Sequence, residues 1–346
     1  MGAPILITGI SGFIGIHCAF EALRAGYRVR GALRDKPGED RRAKLRALIA
    51  KQLGEDPGDR LSFVGVDLLA DAGWAEAVEG CAFVLHVASP VPPGAVEDPD
   101  ALVAPAREGA LRLLRAAAAS EQTRRVVLTS SSAALFYGHR RGPEDRYGPE
   151  SWSLPEHCPA YPRSKTLAER AAWDYIATLE PGVLELVTIL PCMVYGPVPD
   201  PCVYSPSGEP VRKLLSRELF ACPNFGWGTV DVREVAQMHL RALEVAEAAG
   251  ERIILGEEHL SLREIAEILA PVYRPRGYRV PTATMPDWLV RLAAHFDAQV
   301  RFALPDLGLY ERVDSSRARE LLGWEPRPVS ESILDMAESL IACGLV

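Results

Sequence analysis

Pro4-Ile5-Leu6-Ile7-Thr8-Gly9-Ile10-Ser11-Gly12-Phe13-Ile14-Gly15 is the stretch on which the fold turns. A short apolar run ending at a glycine reads as a buried strand. G-x-x-G-x-x-G spacing follows at once, and an amphipathic segment continues to Ala25. Strand, glycine turn and helix in that order predict a seat for a pyrophosphate. Gly9 permits the tight turn, Gly12 a side-chain-free approach to the anion, and Gly15 close packing of a helix whose N–H groups face the ligand. Thr8, Ser11, Phe13 and Ile14 share that turn and are candidate cofactor contacts with the three glycines.

Outward from there the pattern repeats. Tyr27 to Leu33, Leu61 to Asp67, Ala82 to Ala88, Arg125 to Thr129 and Leu184 to Leu190 read as further buried strands. Helical spacing lies between most of them, as in Arg107 to Ala119, where Pro105 suits a first helical turn. Such alternation predicts an α/β fold, a doubly wound parallel Rossmann sheet with ligands at the carboxyl ends of its strands. After Leu190 the prolines at 191, 197, 199, 201, 206 and 210 predict a loop-rich region. The expected division is a Rossmann domain over 1–190, to which 231–256 returns, and a smaller substrate-binding domain from 191–230 and 257–346. Three later segments read as helices, Asp231 to Glu247, Ser261 to Ala270 and Ser330 to Cys343.

Composition narrows the function. The 346 residues are 48% hydrophobic and 24% charged, enough for a large core. A net charge of −8 disfavours nucleic acid and anionic membrane surfaces as partners. Seven scattered cysteines lack metal-ligand spacing and read as reduced thiols of the cytoplasm, with no metal site. No secretory leader and no long apolar span is expected.

The residue after the second strand selects the dinucleotide, since an acidic side chain grips a ribose 2′-hydroxyl and a basic one accommodates a 2′-phosphate. If that strand ends at Leu33, Arg34 stands there and NADP (NADPH) follows; if Asp35 takes the ribose, NAD is the cofactor. Arg34, Lys36, Arg41, Arg42 and Lys44 also fit a merely solvated basic face.

Tyr161-Pro162-Arg163-Ser164-Lys165 opens a segment of helical composition. Positions i and i+4 share a helix face, so the Lys165 ammonium would draw down the pKa of the Tyr161 phenol and equip it to protonate a carbonyl oxygen. Upstream, Thr129-Ser130-Ser131-Ser132 places hydroxyls at a strand's carboxyl end, where a serine would hydrogen-bond the same oxygen. A plain exposed ion pair and a self-satisfied serine turn are the structural alternatives.

With these motifs, the sequence resembles the extended short-chain dehydrogenase/reductases, in the branch of dihydroflavonol reductases, cinnamoyl-CoA reductases and aldehyde or ketone reductases. The resemblance spans nearly the whole chain. It rests on Thr8-Gly9-x-x-Gly12-x-x-Gly15, Arg34-Asp35, Val66-Asp67-Leu68, His86-Val87-Ala88-Ser89-Pro90, Val127-Leu128-Thr129-Ser130-Ser131, Tyr161-x-x-Ser164-Lys165-Thr166-Leu167-Ala168-Glu169, Leu190-Pro191-x-x-Val194-x-Gly196-Pro197, and Val230-Asp231-Val232-Arg233-Glu234-Val235-Ala236. It implies Tyr161 as proton donor, Lys165 as its activator and a ribose ligand, and Ser131 as the carbonyl-orienting hydroxyl, with Ser130 or Ser132 in that role if the register slips. It further implies Asp67 and Leu68 beside the adenine, Val87, Ala88 and Ser89 along the dinucleotide, and Pro191 and Val194 near the nicotinamide. His86, inside a strand run, reads as a core histidine, and His157 is a surface residue by default.

Pocket residues are expected from loops past the strand ends: Pro90, Val91, Phe136, Tyr137, Met193, Tyr195, Val203 and Tyr204. They are mainly apolar. The family's flavonoid reductases place a polar substrate-gripping side chain about where Phe136 stands, so an apolar or aromatic ketone or aldehyde fits better. The first reading is therefore an NADPH-dependent carbonyl reductase acting reversibly on a small molecule. An epimerase, dehydratase or hydroxysteroid dehydrogenase of the same fold is the second, with Arg212, Lys213 and Arg217 as candidate cations for a sugar diphosphate. The third is a non-catalytic dinucleotide sensor, which such folds reach by losing the tyrosine or lysine.

Overall fold

The structure is a computed structural model describing residues 3–34, 40–90, 100–140, 142, 145–257, 259–296, 300–301, 304–309 and 311–346. Its first half alternates β1 (Ile5–Thr8), α1 (Phe13–Arg24), β2 (Val29–Leu33), α2 (Arg41–Leu53), β3 (Leu61–Gly65), α3 (Trp74–Val78), β4 (Phe83–His86), α4 (Asp100–Ala118), β5 (Arg125–Thr129) and α5 (Ala133–Phe136). Then come β6 (Arg146–Tyr147), α6 (Ala160–Ala177), β7 (Glu185–Pro191), β8 (Met193–Tyr195), α7 (Glu209–Leu215), β9 (Gly226–Asp231), α8 (Val232–Glu244) and β10 (Arg252–Leu255). The remainder holds β11 (His259–Ser261), α9 (Leu262–Tyr273), α10 (Asp287–Ala293), β12 (Arg312–Val313), α11 (Ser316–Leu322) and α12 (Val329–Ala342).

Seven strands form one parallel sheet in the order β10-β7-β5-β4-β1-β2-β3. Chain order reverses between β1 and β4, where Thr8 lies beside His86, and a crevice opens at their carboxyl ends. Period-two alternation feeds both faces. Ile5 and Ile7 enter the core shared with α1 and α8, whereas Leu6, Val84, Val126 and Leu186 face a second core with Leu114 of α4 and Ala172 of α6. That is why these strands read as unbroken apolar runs; each fully buried Leu or Ile contributes roughly 1.5–3 kcal/mol. The first core continues through Val230 and Leu269 to Leu340 of α12, so the carboxyl-terminal part packs on the sheet domain through shared apolar surface.

The helices expected late in the chain are present with adjusted ends. Asp231 precedes α8 and caps it, its Oδ1 accepting the Arg233 N–H at 2.7 Å. Ser261 and Glu264 form a capping box on α9, which runs past Pro271 to Tyr273. Pro105 departs from expectation: α4 extends back to Asp100, so the proline lies inside the helix rather than at its start. The expected start overlooked the helical residues before it; without an N–H, Pro105 cannot make the usual bond to position 101. β10, within 231–256, is the outer strand of the main sheet beside β7. β8, β9 and β11 make a separate three-stranded sheet. All seven cysteines are free. Among the described residues, no helix is long and apolar enough to cross a membrane.

Candidate active site

The turn after β1 is built as glycine demands. Gly9 has φ +67°, and a Cβ there would lie 2.8 Å from the Ala88 nitrogen. A Cβ on Gly15 would lie 2.2 Å from the Gly9 carbonyl oxygen, so α1 sits on the turn with no room for a methyl. The Gly12 N–H donates to that same oxygen at 2.9 Å. Thr8 ties the crevice walls together: its Oγ1 accepts the Ala88 N–H at 3.1 Å and is hydrogen-bonded to His86 Nδ1 at 2.8 Å. Burial, with a smaller contribution from the Lys165 ammonium, pushes His86 down to about 3, so it is a neutral structural histidine.

A cleft of about 510 Å³ opens above the turn. Thr8, Gly9, Ser11, Gly12, Phe13, Ile14 and Gly15 border it, with Arg34, Asp67, Leu68, Val87, Ala88 and Ser89. These are the cofactor contacts expected in the first half of the chain. Pro90, expected in the substrate pocket, borders it too. The shape and donors fit a dinucleotide, since the glycine cradle is one that a Cβ would fill and it faces the start of α1. Exposed Arg34 stands at the end of β2 beside Arg41 of α2, whose Nη1 donates to the Arg34 carbonyl at 3.4 Å. Two cations thus border the cleft at the end of β2. Asp35, the rival ribose ligand, is outside the described residues.

Past β5 the chain distributes its three serines in three directions. Ser130 Oγ donates to Glu169 Oε2 at 2.6 Å and is buried. Ser132 sends its N–H to the Pro191 carbonyl at 3.0 Å. Ser131 is the serine whose hydroxyl acts on the Tyr161 phenol, and its Oγ accepts the Ala133 N–H at 3.2 Å. The geometry thus singles out Ser131 among the three candidates.

Tyr161 is the second residue of α6, with Pro162 in the first turn, where a missing N–H costs nothing. One turn on, buried Lys165 donates from Nζ to the Thr129 carbonyl at 3.2 Å. Thr129 Oγ1 is bonded to His239 Nε2 at 2.7 Å, while His239 Nδ1 donates to the Val235 carbonyl at 2.7 Å. Burial pushes Lys165 down to about 8, against an opposing attraction from Glu169. Tyr161 differs from expectation: burial raises its pKa, and the opposing influence is the Ser131 hydrogen bond rather than the lysine. Desolvation of a phenol at a helix start, invisible in residue spacing, outweighs the neighbouring hydroxyl.

Several expected pocket residues belong to cores instead. Phe136, 1% exposed, packs with Leu190, Ile254 and Val313 and against the rings of Tyr137 and Tyr147. Tyr195 and Val203 are buried members of the main core, and Met193 packs against it; Val194, expected near the nicotinamide rather than in the pocket, is buried there too. Loop position suggested a lining role, but all of these side chains turn inward. Tyr137 and Tyr204 are engaged with Asp306 at 3.2 Å and Glu209 at 2.7 Å. Pro191 is buried at the end of β7, its carbonyl on the serine turn. Val91 lies outside the described residues. Arg212, a candidate diphosphate ligand, is held by Glu209 at 3.0 Å and Glu218 at 2.5 Å. Sequence reasoning missed Arg41, Trp74, Pro105 and Ser205 as cleft residues. Only Arg41 carried a signal, being basic and close after Arg34.

The model of the NAD dependent epimerase/dehydratase family matches residues 5–256. The chain belongs to that family. It is one of the extended short-chain dehydrogenase/reductases, as its fold and motifs require. Cinnamoyl-CoA reductase CAD2 of Medicago truncatula is 30% identical over 346 residues, covering 98% of this chain and 96% of its own. Ketoreductase azaE of Aspergillus niger is 32% identical, covering 99% and 98%. Among solved structures, yeast methylglyoxal/isovaleraldehyde reductase Gre2 complexed with NADPH superposes with a TM-score of 0.78 at 25% identity, covering 99% of this chain and 100% of that one.

Proposed function

We propose that the protein is an NADPH-dependent reductase that converts a ketone or aldehyde to an alcohol, reversibly, with Tyr161 as proton donor. The observation that carries this reading is the arrangement at the carboxyl end of β5, where the Ser131 hydroxyl acts on the Tyr161 phenol and Lys165, one turn along α6, sets its Nζ on the Thr129 carbonyl at 3.2 Å. Similarity to a cinnamoyl-CoA reductase, a ketoreductase and an NADPH-bound aldehyde reductase supports it.

The glycine turn would hold the pyrophosphate, Arg34 and Arg41 the 2′-phosphate, and Lys165 the ribose next to the nicotinamide. Bound NADPH supplies the hydride. The chain's own groups handle the oxygen. Ser131 donates a hydrogen bond that orients the carbonyl, and Tyr161 delivers its proton as negative charge develops there. A half-buried phenol with a raised pKa stays protonated at neutral pH, which suits a donor in the reductive direction. The substrate is a carbonyl compound, a class supported by the relatives' named activities. Seven free thiols agree with a cytoplasmic setting. The epimerase reading loses one of its three candidate cations, because Arg212 is already paired with two carboxylates.

NADPH oxidation against a panel of aromatic, aliphatic and steroid carbonyls tests the proposal, with NADH in parallel and the purified protein dialysed beforehand. Turnover with at least one carbonyl, a preference for NADPH and loss of nucleotide on dialysis are expected. Retained nucleotide with no carbonyl turnover would replace the reductase with an epimerase.

A further inference from the structure

Behind the serine turn lies a buried ionic cluster that the proton-transfer chemistry does not touch. Glu169, one turn beyond Lys165 on α6, is 1% exposed. Its Oε2 accepts from Ser130 Oγ at 2.6 Å, and its Oε1 accepts from Thr188 Oγ1 at 3.0 Å and Arg252 Nε at 2.8 Å. Arg252, itself buried, lies 3.6 Å from the centroid of the Trp152 ring and donates to the carbonyls of Pro149 and Ser151. One carboxylate therefore joins α6 to β5, β7 and β10, and through Arg252 reaches the 149–152 segment.

A buried ion pair is weak evidence for stability, since desolvation offsets most of the attraction. Its effect on geometry is direct. Ser130 stands between Thr129, whose carbonyl receives the Lys165 ammonium, and Ser131, whose hydroxyl acts on the Tyr161 phenol. Ser130 and Ser131 follow β5 directly, so holding Ser130 on Glu169 fixes the backbone that presents Ser131 to the tyrosine. The next residues of the anchored segment hold α5: Ser153 Oγ donates to the Ala133 carbonyl at 2.9 Å and accepts the Tyr137 N–H at 2.8 Å.

We propose that Glu169 is a positioning residue for the reaction: it locks Ser130 so that Ser131 and the Thr129 carbonyl meet Tyr161 and Lys165, and its charge is the buried anion facing Lys165. The inference rests on Tyr161 and Lys165 being the reacting pair. The other titratable groups around that lysine are Tyr161 on the same helix, His86 on β4 and, through Thr129, His239 on α8, with Arg252 of β10 behind Glu169. Burial keeps both histidines neutral at pH 7, at about 3 and about 4. Glu169 is thus the group favouring the ammonium against desolvation.

The test uses the full chain and two variants. The chain has five lysines, at 36, 44, 51, 165 and 213, so NMR of lysine side chains can follow Lys165, assigned through Lys165→Arg. In Glu169→Gln the Lys165 titration midpoint is expected to fall from about 8 by about one unit or more, with the alkaline limb of kcat moving alongside. Ser130→Ala keeps both charges; it should leave the midpoint in place and lower kcat about tenfold, with carbonyl KM and NADPH Kd within about twofold of wild type. Should Glu169→Gln fail to fold with Arg252 unpaired, the Glu169→Gln/Arg252→Gln pair carries the same titration. An unmoved Lys165 midpoint in the charge variants, or wild-type kcat in Ser130→Ala, overturns the assignment. The NMR arm needs no turnover, so a wild type inactive on every carbonyl would defeat the reductase reading while leaving the Glu169–Lys165 coupling measurable.

Discussion

Replacing Gly15 by alanine puts a methyl carbon 2.2 Å from the Gly9 carbonyl oxygen and 2.7 Å from its carbon. Both atoms are backbone, so no rotamer relieves the clash. Ordinary non-bonded contact is about 3.5 Å, so the turn and α1 must part by about an ångström. Overpacking of this kind costs roughly 1–3 kcal/mol, and the better helix propensity of alanine returns roughly 0.5–1. The net loss of about 1–2 kcal/mol corresponds, for a chain of this length, to a Tm lower by about 1.5–3 °C. Cofactor binding should suffer more, because the displaced backbone carries the N–H groups aimed at the pyrophosphate. Losing the equivalent of one charge-assisted hydrogen bond weakens NADPH by about tenfold or more. Gly26→Ala is the control: its φ of +85° makes alanine strained, yet a Cβ there meets nothing within 4 Å. It should lower Tm slightly and leave NADPH binding alone. Fluorescence titration with NADPH and thermal melting of both variants read the two effects. A Gly15→Ala protein that binds NADPH within about twofold of wild type would refute the cradle argument.

Removing Arg34 and Arg41 together, as alanines, should weaken NADPH by about tenfold to a hundredfold while changing NADH little, measured as Kd for each nucleotide; equal losses for both would mean that neither side chain meets the 2′-phosphate. Phe136→Ala is expected to act as a core deletion, costing roughly 3–5 kcal/mol in a denaturant melt. A variant with unchanged stability and a raised carbonyl KM would instead return Phe136 to the pocket. Buried His86, His17 and His239 have folded pKa values of about 3, 4 and 4, below the unfolded value near 6.5. The unfolded chain therefore binds more protons below that value, and the stability from keeping them neutral is full above about pH 6.5 and lost as pH falls toward 4 and 3. Tm should decline across that window, and a flat profile from pH 7 to pH 4.5 would contradict their burial as neutral groups.

How much of this was legible in the residues depends on how local each feature is. The glycine turn, the strand–helix alternation of the first half and the Tyr161–Lys165 spacing are set by short-range pattern, and the structure places the turn on the cleft as expected. The direction of each serine was not legible, because it follows from Glu169, 39 residues from Ser130 in the chain. Phe136 and Tyr195 look like loop residues in sequence and are drawn inward by packing partners far along the chain, such as Ile254 and Val313 for Phe136. β6, β8, β11 and β12 are two or three residues long, too short for any periodicity to register. The pKa of Tyr161 went the other way for a similar reason: spacing shows the neighbouring lysine, while burial depends on the whole fold.

The central claim is that the Tyr161 hydroxyl gives its proton to a carbonyl oxygen. Tyr161→Phe keeps the ring and its packing and removes only that group. Measured on the best carbonyl found, with NADPH binding checked by titration, its kcat should fall by about a hundredfold or more at unchanged NADPH Kd. Turnover equal to wild type would contradict the account.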